Sequence, residues 1–358
     1  MSLTRFSAQD IVVSTDSLVT STWSGNLNNL KGGYTGSTNN MDSPTSSGWF
    51  HLDVYQTAST DSTAEIQYSI AYGNRFGSGS PDFTNDSGSH GMTAARVTYG
   101  AYRNLVFGDE TQNFTFDTHV PEAIYVINVA RSRYKQSLKP GTLNLALSAS
   151  HHESPSTYFN IKLTDDSVTS NGSAKLTNLG RQFNVVSGSS GVRSGSVLGQ
   201  VHGSASYGLF YPDAGVIILN PDAFGASGST AFTGLGPNRN RGEMANFTGA
   251  GLIRNPESLF RAISQSEDGF IVDTQEKITS QYYFARAKNF EYNYTTNPSF
   301  TDNSGNLNLS SMINNPVTYI TTVGLYNDAS DLVAVAKLSQ PVVKDFTKEA
   351  LIRVKLDY

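Results

Sequence analysis

Apolar residues recur at every second position along several stretches of the chain, which is the pattern of β-strands that bury one face. Ile66, Tyr68, Ile70 and Tyr72 follow this period in a single run. Runs rich in β-branched, aromatic or alternating apolar residues predict further strands at 123–129, 143–147, 158–163, 183–186, 207–219, 270–272 and 281–294. Turn-forming residues at 212–215 divide the run at 207–219 in two. The pattern therefore predicts a chain built mainly of strands.

Two stretches favour helices instead. Apolar residues between positions 92 and 107 follow a roughly helical spacing, and Gly108 is a suitable stop. Near position 255, an asparagine suited to the N-cap precedes Pro256 and Glu257, which are typical of a first helical turn. The run after them ends at Gly269. We expect one or two short helices beside the strands.

The C-terminal part predicts a hairpin and a last strand. Two β-rich runs at 318–326 and 331–338 are separated by turn formers at 327–330. Pro341 is expected to end the second run, because proline cannot donate a hydrogen bond to a neighbouring strand. In the last run, at 350–356, Ile352 and Val354 share one face, and Leu351 points away from them.

The first fifty residues are dominated by Ser, Thr, Asn and Gly, with one β-branched segment at 11–15 and an isolated Trp23. Such a segment cannot form a core of its own, so we interpret it as an extended arm that packs on its own domain or on a neighbouring subunit. Removal of residues 1–45 should leave a folded protein. The predicted fold is mainly β, with antiparallel sheets or a sandwich, one or two short helices and this N-terminal arm. The predicted divisions are an arm at 1–50, a β-rich domain at 51–222, a loop-plus-helix segment at 223–290 and the hairpin with the final strand at 291–358.

The composition of the chain excludes or disfavours several classes of function. Charged residues make up only 15 % of the chain, against about 25 % in typical soluble domains. The net charge of −5 disfavours binding to a nucleic-acid backbone. The chain has no cysteine, which excludes disulfides, thiolate metal sites and thiol nucleophiles. No apolar run approaches the length of a membrane span, and no secretion signal is evident at the N-terminus.

Few residues suggest chemistry. The run His151-His152-Glu153 is the densest group of metal ligands, but a solvated turn before Pro155 is the more ordinary interpretation. A glycosidase would need two opposed carboxylates, for which Glu65, Asp109 and Glu110 are candidates. Neither pattern is specific. We therefore expect no catalytic residue, no metal and no cofactor, and we do not expect an enzyme.

A resemblance adds to this interpretation. The run at 320–328, continuing into 331–338, resembles a hairpin found in tail-fibre, collar and baseplate proteins of tailed phages. A broader similarity to virion structural proteins of contractile-tailed phages covers most of the chain after the arm. It is carried by residues at 70–74, 102–110, 125–127, 133–135 and 207–213. The resemblance implies an architectural role in a virion tail or baseplate, with other phage structural proteins and copies of this chain as partners.

On this hypothesis, apolar residues of the arm and of the C-terminal strands contact neighbouring subunits. The expected contact residues are Ile11, Val12, Val13, Trp23, Leu325, Tyr326, Leu332, Val335, Ile352 and Val354. One alternative is a module that binds host surface glycans through aromatic residues in its loops, namely Phe76, Phe83, Tyr207, Phe232 and Phe247. A second alternative is an enzyme that degrades polysaccharide. Nucleic acid and membranes are not expected partners.

Overall fold

The structure is a computed structural model of the chain. It describes residues 3–27, 30, 35–39, 51–77, 94–150, 158–169, 173–194, 206–224, 255–294 and 298–357. Internal contacts divide the chain into two units. The central unit is Leu18–Glu276, and the terminal unit combines Met1–Ser17 with Lys277–Tyr358.

Strands dominate both units. In chain order the strands are β1 (Ile11–Ser21), β2 (Thr35–Asn39), β3 (His51–Tyr55), β4 (Ile66–Asn74), β5 (Ala123–Val129), β6 (Ser137–Leu138), β7 (Asn144–Ser150), β8 (Tyr158–Asp165), β9 (Lys175–Thr177), β10 (Gly180–Ser189), β11 (Val192–Arg193), β12 (Gly208–Tyr211), β13 (Val216–Leu219), β14 (Phe270–Ile271), β15 (Asp273–Ala287), β16 (Thr318–Tyr326), β17 (Leu332–Lys344) and β18 (Ala350–Asp357). The α-helices are α1 (Ala94–Phe107), α2 (Asn255–Ser264) and α3 (Ser311–Asn314). The prediction of a mainly β fold with antiparallel sheets is confirmed.

The central unit is organised by one large antiparallel sheet. Its strands lie in the order β14-β7-β8-β10-β12-β13-β5-β4-β3-β2, and β9 and β11 both pair with β10. The middle strands are buried on both faces: Tyr125 and Ile127 of β5 belong to one apolar cluster, while Ile124 and Val126 belong to another. A strand covered on both faces carries a continuous apolar run. This explains why 123–129 and 216–219 lack the alternation that marks β4.

Helices complete both clusters. Leu259 and Ile263 of α2 pack in the first cluster, and Tyr99 and Val106 of α1 pack in the second. At Gly73 of β4 the sheet and α1 approach so closely that an added Cβ would lie 2.9 Å from the backbone nitrogen of Tyr99. The predicted helices at 92–107 and after Asn255 are therefore both present. Their apolar sides cover strands.

The N-terminal segment contributes to the core of the central unit. Trp23 is 3 % exposed, and its indole N–H donates to the carbonyl oxygen of Phe270 at 2.9 Å. Leu30 is 2 % exposed and forms an isolated bridge with Phe270. Of the two expected packing modes of the arm, these residues follow the one on its own domain, so we now expect removal of residues 1–45 to cost stability.

The terminal unit holds a smaller sheet and a separate pair of strands. β15 lies between β1 and β18, with Tyr283 opposite Val354 in the antiparallel β15–β18 pair. β16 and β17 form the predicted hairpin, and β18 is the predicted last strand. Within the described residues, β16 and β17 have no strand partner except each other.

Two predicted boundaries are corrected. The strand predicted at 281–294 begins earlier and ends at Ala287, and 288–294 forms turns instead. Pro341 does not end the second strand of the hairpin, since β17 runs on to Lys344. The register shifts between Ile320 and Thr322, so Pro341 lies in an irregularity of the ladder where its missing N–H removes no paired hydrogen bond.

Candidate assembly surface

The pair β16–β17, here called the ribbon, exposes apolar side chains. Tyr319 is 62 % exposed, Val333 68 %, Val335 58 % and Leu332 53 %. An isolated two-stranded sheet is at best marginally stable in water, so the burial of further apolar surface would stabilise it. The open side of the ribbon therefore has the properties of a surface that another protein covers.

The Gly-Leu-Tyr sequence of the resemblance shapes this surface. Gly324 lies opposite Val335, and a Cβ at Gly324 would meet the ring of Tyr326 at 3.0 Å and Leu332 at 3.2 Å. The absence of a side chain at Gly324 thus lets the tyrosine ring lie across the strand. Leu325 points to the other face, where it is only 7 % exposed. The motif thus places aromatic and aliphatic side chains on one face of the ribbon and the buried Leu325 on the other.

Strand β1 supplies a second exposed apolar segment. It lies at the edge of the small sheet next to β15. Ile11 is 37 % exposed, Val12 47 % and Val13 58 %. Successive residues of a strand point to opposite faces, so both faces of β1 carry exposed apolar side chains. Exposed edge strands of this kind are templates for pairing with another chain.

The structure sorts the ten expected contact residues into two groups. Exposed residues are Ile11, Val12, Val13, Tyr326, Leu332 and Val335. Trp23, Leu325 and Val354 are buried within the chain and Ile352 is half-buried, so these four stabilise the fold of the chain itself. Sequence reasoning missed Tyr319, Val333 and Leu351, which is 60 % exposed. Alternation in β18 already placed Leu351 on the face opposite Val354, and this was the available signal.

The two units also differ in net charge. The terminal unit contains nine basic and nine acidic side chains, so its net charge is zero and the central unit carries the whole net charge of −5. Ion pairs in the terminal unit, such as Arg5 with Asp328 at 3.1 Å, are highly exposed. Exposed pairs contribute little stability. The terminal unit therefore adds no net charge to the repulsion between copies of the chain, which comes from the central unit.

The residues named for the alternatives are dispersed. Tyr207 is buried, and desolvation raises its pKa to about 12. Phe76 is 46 % exposed and stacks with Arg75. Glu65 pairs with Arg133 at 2.9 Å. Phe83, Phe232, Phe247 and the run 151–153 lie outside the described residues.

Asp109 is occupied within its own turn. Its Oδ1 accepts from the backbone N–H and the hydroxyl of Thr111, both at 2.7 Å. These hydrogen bonds hold the pKa of Asp109 below its usual value. Glu110 follows it in the same exposed stretch. Among the residues that the structure describes, no group of three or more His, Asp or Glu side chains has the geometry to hold a metal.

Strand pairing creates one polar cluster that the sequence did not suggest. Asp53 is 2 % exposed and accepts from Ser69 Oγ at 2.5 Å, and His51 Nε2 lies 3.6 Å from the same carboxylate. Interaction with Asp53 raises the pKa of His51, although burial opposes the rise. In a nucleophilic triad the imidazole lies between hydroxyl and carboxylate. Here the carboxylate lies in the middle, so the imidazole does not activate Ser69.

Comparison with known protein families finds no matching family model, and comparisons with curated proteins and with solved structures find no match either. None of the helices in the described ranges combines the length and the hydropathy needed to cross a bilayer. The fold and the surface thus define a mainly β protein with an exposed apolar ribbon.

Proposed function

We propose that this protein is a structural component of a tailed-phage virion, associated with the tail or baseplate, and that it assembles with neighbouring subunits through its terminal unit. The resemblance of the hairpin at 320–338 supports a place in the virion, and the exposed ribbon supports assembly with other subunits. Neither role requires a catalytic step.

The observation that carries the proposal is the exposure of the ribbon. Burying an apolar side chain contributes about 1.5–3 kcal/mol relative to leaving it in water. Burial of Leu332, Val333 and Val335 by a partner would therefore contribute several kcal/mol. Isolated exposed apolar residues are common on proteins, but these three follow one another closely at the start of β17, and a contiguous group marks an interaction site.

The experiment introduces charge into the ribbon. The double variant Val333→Lys/Val335→Lys should fold normally, because both side chains are solvent-exposed, and should not enter particles when it is supplied in trans to a phage lacking the wild-type gene. Sedimentation velocity of the purified proteins should show the variant shifted toward the monomer. Far-UV circular dichroism checks the fold.

The matched control places lysine at exposed apolar residues of the central unit. Leu176 is 79 % exposed and Val192 is 54 % exposed. The double variant Leu176→Lys/Val192→Lys should enter particles as the wild type does. Equal incorporation of both double variants would refute the role of the ribbon. Absence of the wild-type chain from purified particles, tested by mass spectrometry, would refute the virion proposal itself.

A further inference from the structure

The segment 288–294, which follows the end of β15 and is here called the aromatic turn, presents three aromatic rings. Phe290 is 66 % exposed, Tyr292 42 % and Tyr294 53 %. They alternate along the chain with Asn289, Glu291 and Asn293. Exposed aromatic residues at this density are unusual for a connection between strands, since rings of this size normally dominate cores and interfaces.

Hydrogen bonds fix the backbone of the aromatic turn. The backbone N–H of Lys288 donates to Glu291 Oε2 at 2.9 Å, and Asn293 Nδ2 donates to the carbonyl oxygen of Asn289 at 2.6 Å. The fully buried ammonium of Lys344 then donates to the same carbonyl oxygen and to Asn293 Oδ1, each at 2.8 Å. The rings therefore project from a base that is held by hydrogen bonds.

The backbone conformation at Tyr292 is an unfavourable one for a residue with a side chain. Its φ angle is +56°, in the left-handed region that side-chain-bearing residues rarely adopt. The surrounding structure holds it there, since its carbonyl oxygen accepts from Thr318 Oγ1 at 2.7 Å and its hydroxyl shares a hydrogen bond with Thr4 at 2.8 Å. Strained residues of this kind concentrate at ligand-binding sites, where the surroundings enforce a defined presentation.

The chemistry of the aromatic turn differs from that of the ribbon. The ribbon combines tyrosine with valine and leucine, which suits an apolar protein partner. The turn contains no aliphatic apolar side chain: beside its rings it has only amides, a carboxylate and an ammonium. A pyranose ring has an apolar C–H face, which packs on aromatic rings, and an edge of hydroxyl groups, which pair with amides and carboxylates. The combination fits a sugar better than it fits a protein.

We propose that the aromatic turn is a binding site for the sugar rings of a glycan. Phe290 and Tyr294 supply stacking faces, and the side chains of Asn289 and Glu291, which are not buried, orient the sugar hydroxyls. This site uses none of the exposed ribbon residues. It therefore does not depend on the assembly role, and glycan binding can fail while assembly succeeds, or the reverse.

The test is binding of the purified full chain to an array of bacterial envelope polysaccharides, followed by saturation-transfer NMR with oligosaccharide fragments of the bound species. The double variant Phe290→Ala/Tyr294→Ala should lower the affinity at least tenfold. Both side chains are exposed, so the fold should be retained. Circular dichroism and unchanged sedimentation verify that it is.

The matched controls remove exposed rings elsewhere in the terminal unit. Tyr319→Ala and Phe346→Ala, at positions 62 % and 56 % exposed, should bind glycan as the wild type does. Absence of wild-type binding on the array would overturn the proposal. So would binding that survives in the double variant, or an equal loss in the controls. Loss of self-association in the double variant without any glycan binding would identify the turn as a protein contact and would overturn it too.

Discussion

Replacing Lys344 with methionine should destabilise the terminal unit, because the ammonium group of this fully buried residue supplies three hydrogen bonds. Nζ donates to the carbonyl oxygen of Asn289 and to Asn293 Oδ1, each at 2.8 Å, and to the carbonyl oxygen of Asp345 at 3.0 Å. Methionine would keep an unbranched stem of similar length. It would remove this donor from Asn293 Oδ1 and from the carbonyl oxygen of Asp345, whereas the carbonyl oxygen of Asn289 would keep the donor Asn293 Nδ2.

The magnitude follows from two opposing contributions. A hydrogen bond to a charged group contributes about 1.5–3 kcal/mol, so three give roughly 5–9 kcal/mol. Burial of the ammonium opposes this by several kcal/mol. The substitution should therefore lower the free energy of unfolding by about 2–4 kcal/mol. Since 1.4 kcal/mol corresponds to a factor of ten, amide protection should fall by roughly 30- to 1000-fold.

Hydrogen exchange read by mass spectrometry is the assay, because it reports the two units separately. Peptides covering 282–294 and 340–357 should lose protection in Lys344→Met, while peptides around the buried Trp23 should not change. Lys348→Met is the matched control, since Lys348 is 57 % exposed and forms only a surface pair with Asp345 at 3.2 Å; it should cost at most about 1 kcal/mol. Equal protection in the two variants would refute the reasoning.

Three further predictions concern the central unit. Gly73→Ala should destabilise it by about 1–3 kcal/mol, because the new Cβ would lie 2.9 Å from the backbone of α1. Gly100→Ala, within α1, should stabilise it by about 0.5–1 kcal/mol, because the new Cβ meets nothing within 4 Å. Thermal melts compare the two variants, and equal melting temperatures would contradict the close approach of β4 to α1. Asp53 raises the pKa of His51 from an ordinary value of 6.5, so the stabilising contribution of the protonated His51 is complete below pH 6.5 and is lost as the pH rises through the folded pKa. The difference in unfolding free energy between wild type and His51→Gln should therefore shrink across that window. A difference that grows with pH would exclude this coupling. Trp23→Ala should cost about 3–5 kcal/mol, and deletion of residues 1–45 should prevent folding; a cooperative melt of the truncated chain would show that this part of the core is dispensable.

Local patterns were sufficient for most of the secondary structure. The period of two in β4, the capping residues at the start of α2 and the turn formers between β16 and β17 each act within a few residues of sequence, so they could be recognised without knowledge of the fold. Boundaries failed where tertiary pairing overrode a local signal. Pro341 is tolerated because the ladder is irregular at that point, which the sequence does not reveal.

The candidate surfaces were only partly predictable for the same reason. Hydrophobicity marked Trp23 and Val335 as equally good contact residues, yet burial places the first in a core and leaves the second in water. The sequence pattern predicts the aromatic turn as part of a strand, because its alternating rings have the same period as a strand. Exposure depends on what packs against a side chain from distant parts of the chain.

The amino-acid sequence by itself determined that this protein is mainly β, that two helices interrupt the strands, and that its C-terminal region ends in a hairpin and a further strand. Those features depend on interactions between near neighbours. Only the tertiary structure decided that residues 1–17 belong to the terminal unit whereas Trp23 belongs to the core of the central unit, that Lys344 supports the aromatic turn, and that Val333 and Val335 of the ribbon are exposed. These features depend on which distant segments pack against one another, and the free energy of that packing is summed over the whole chain.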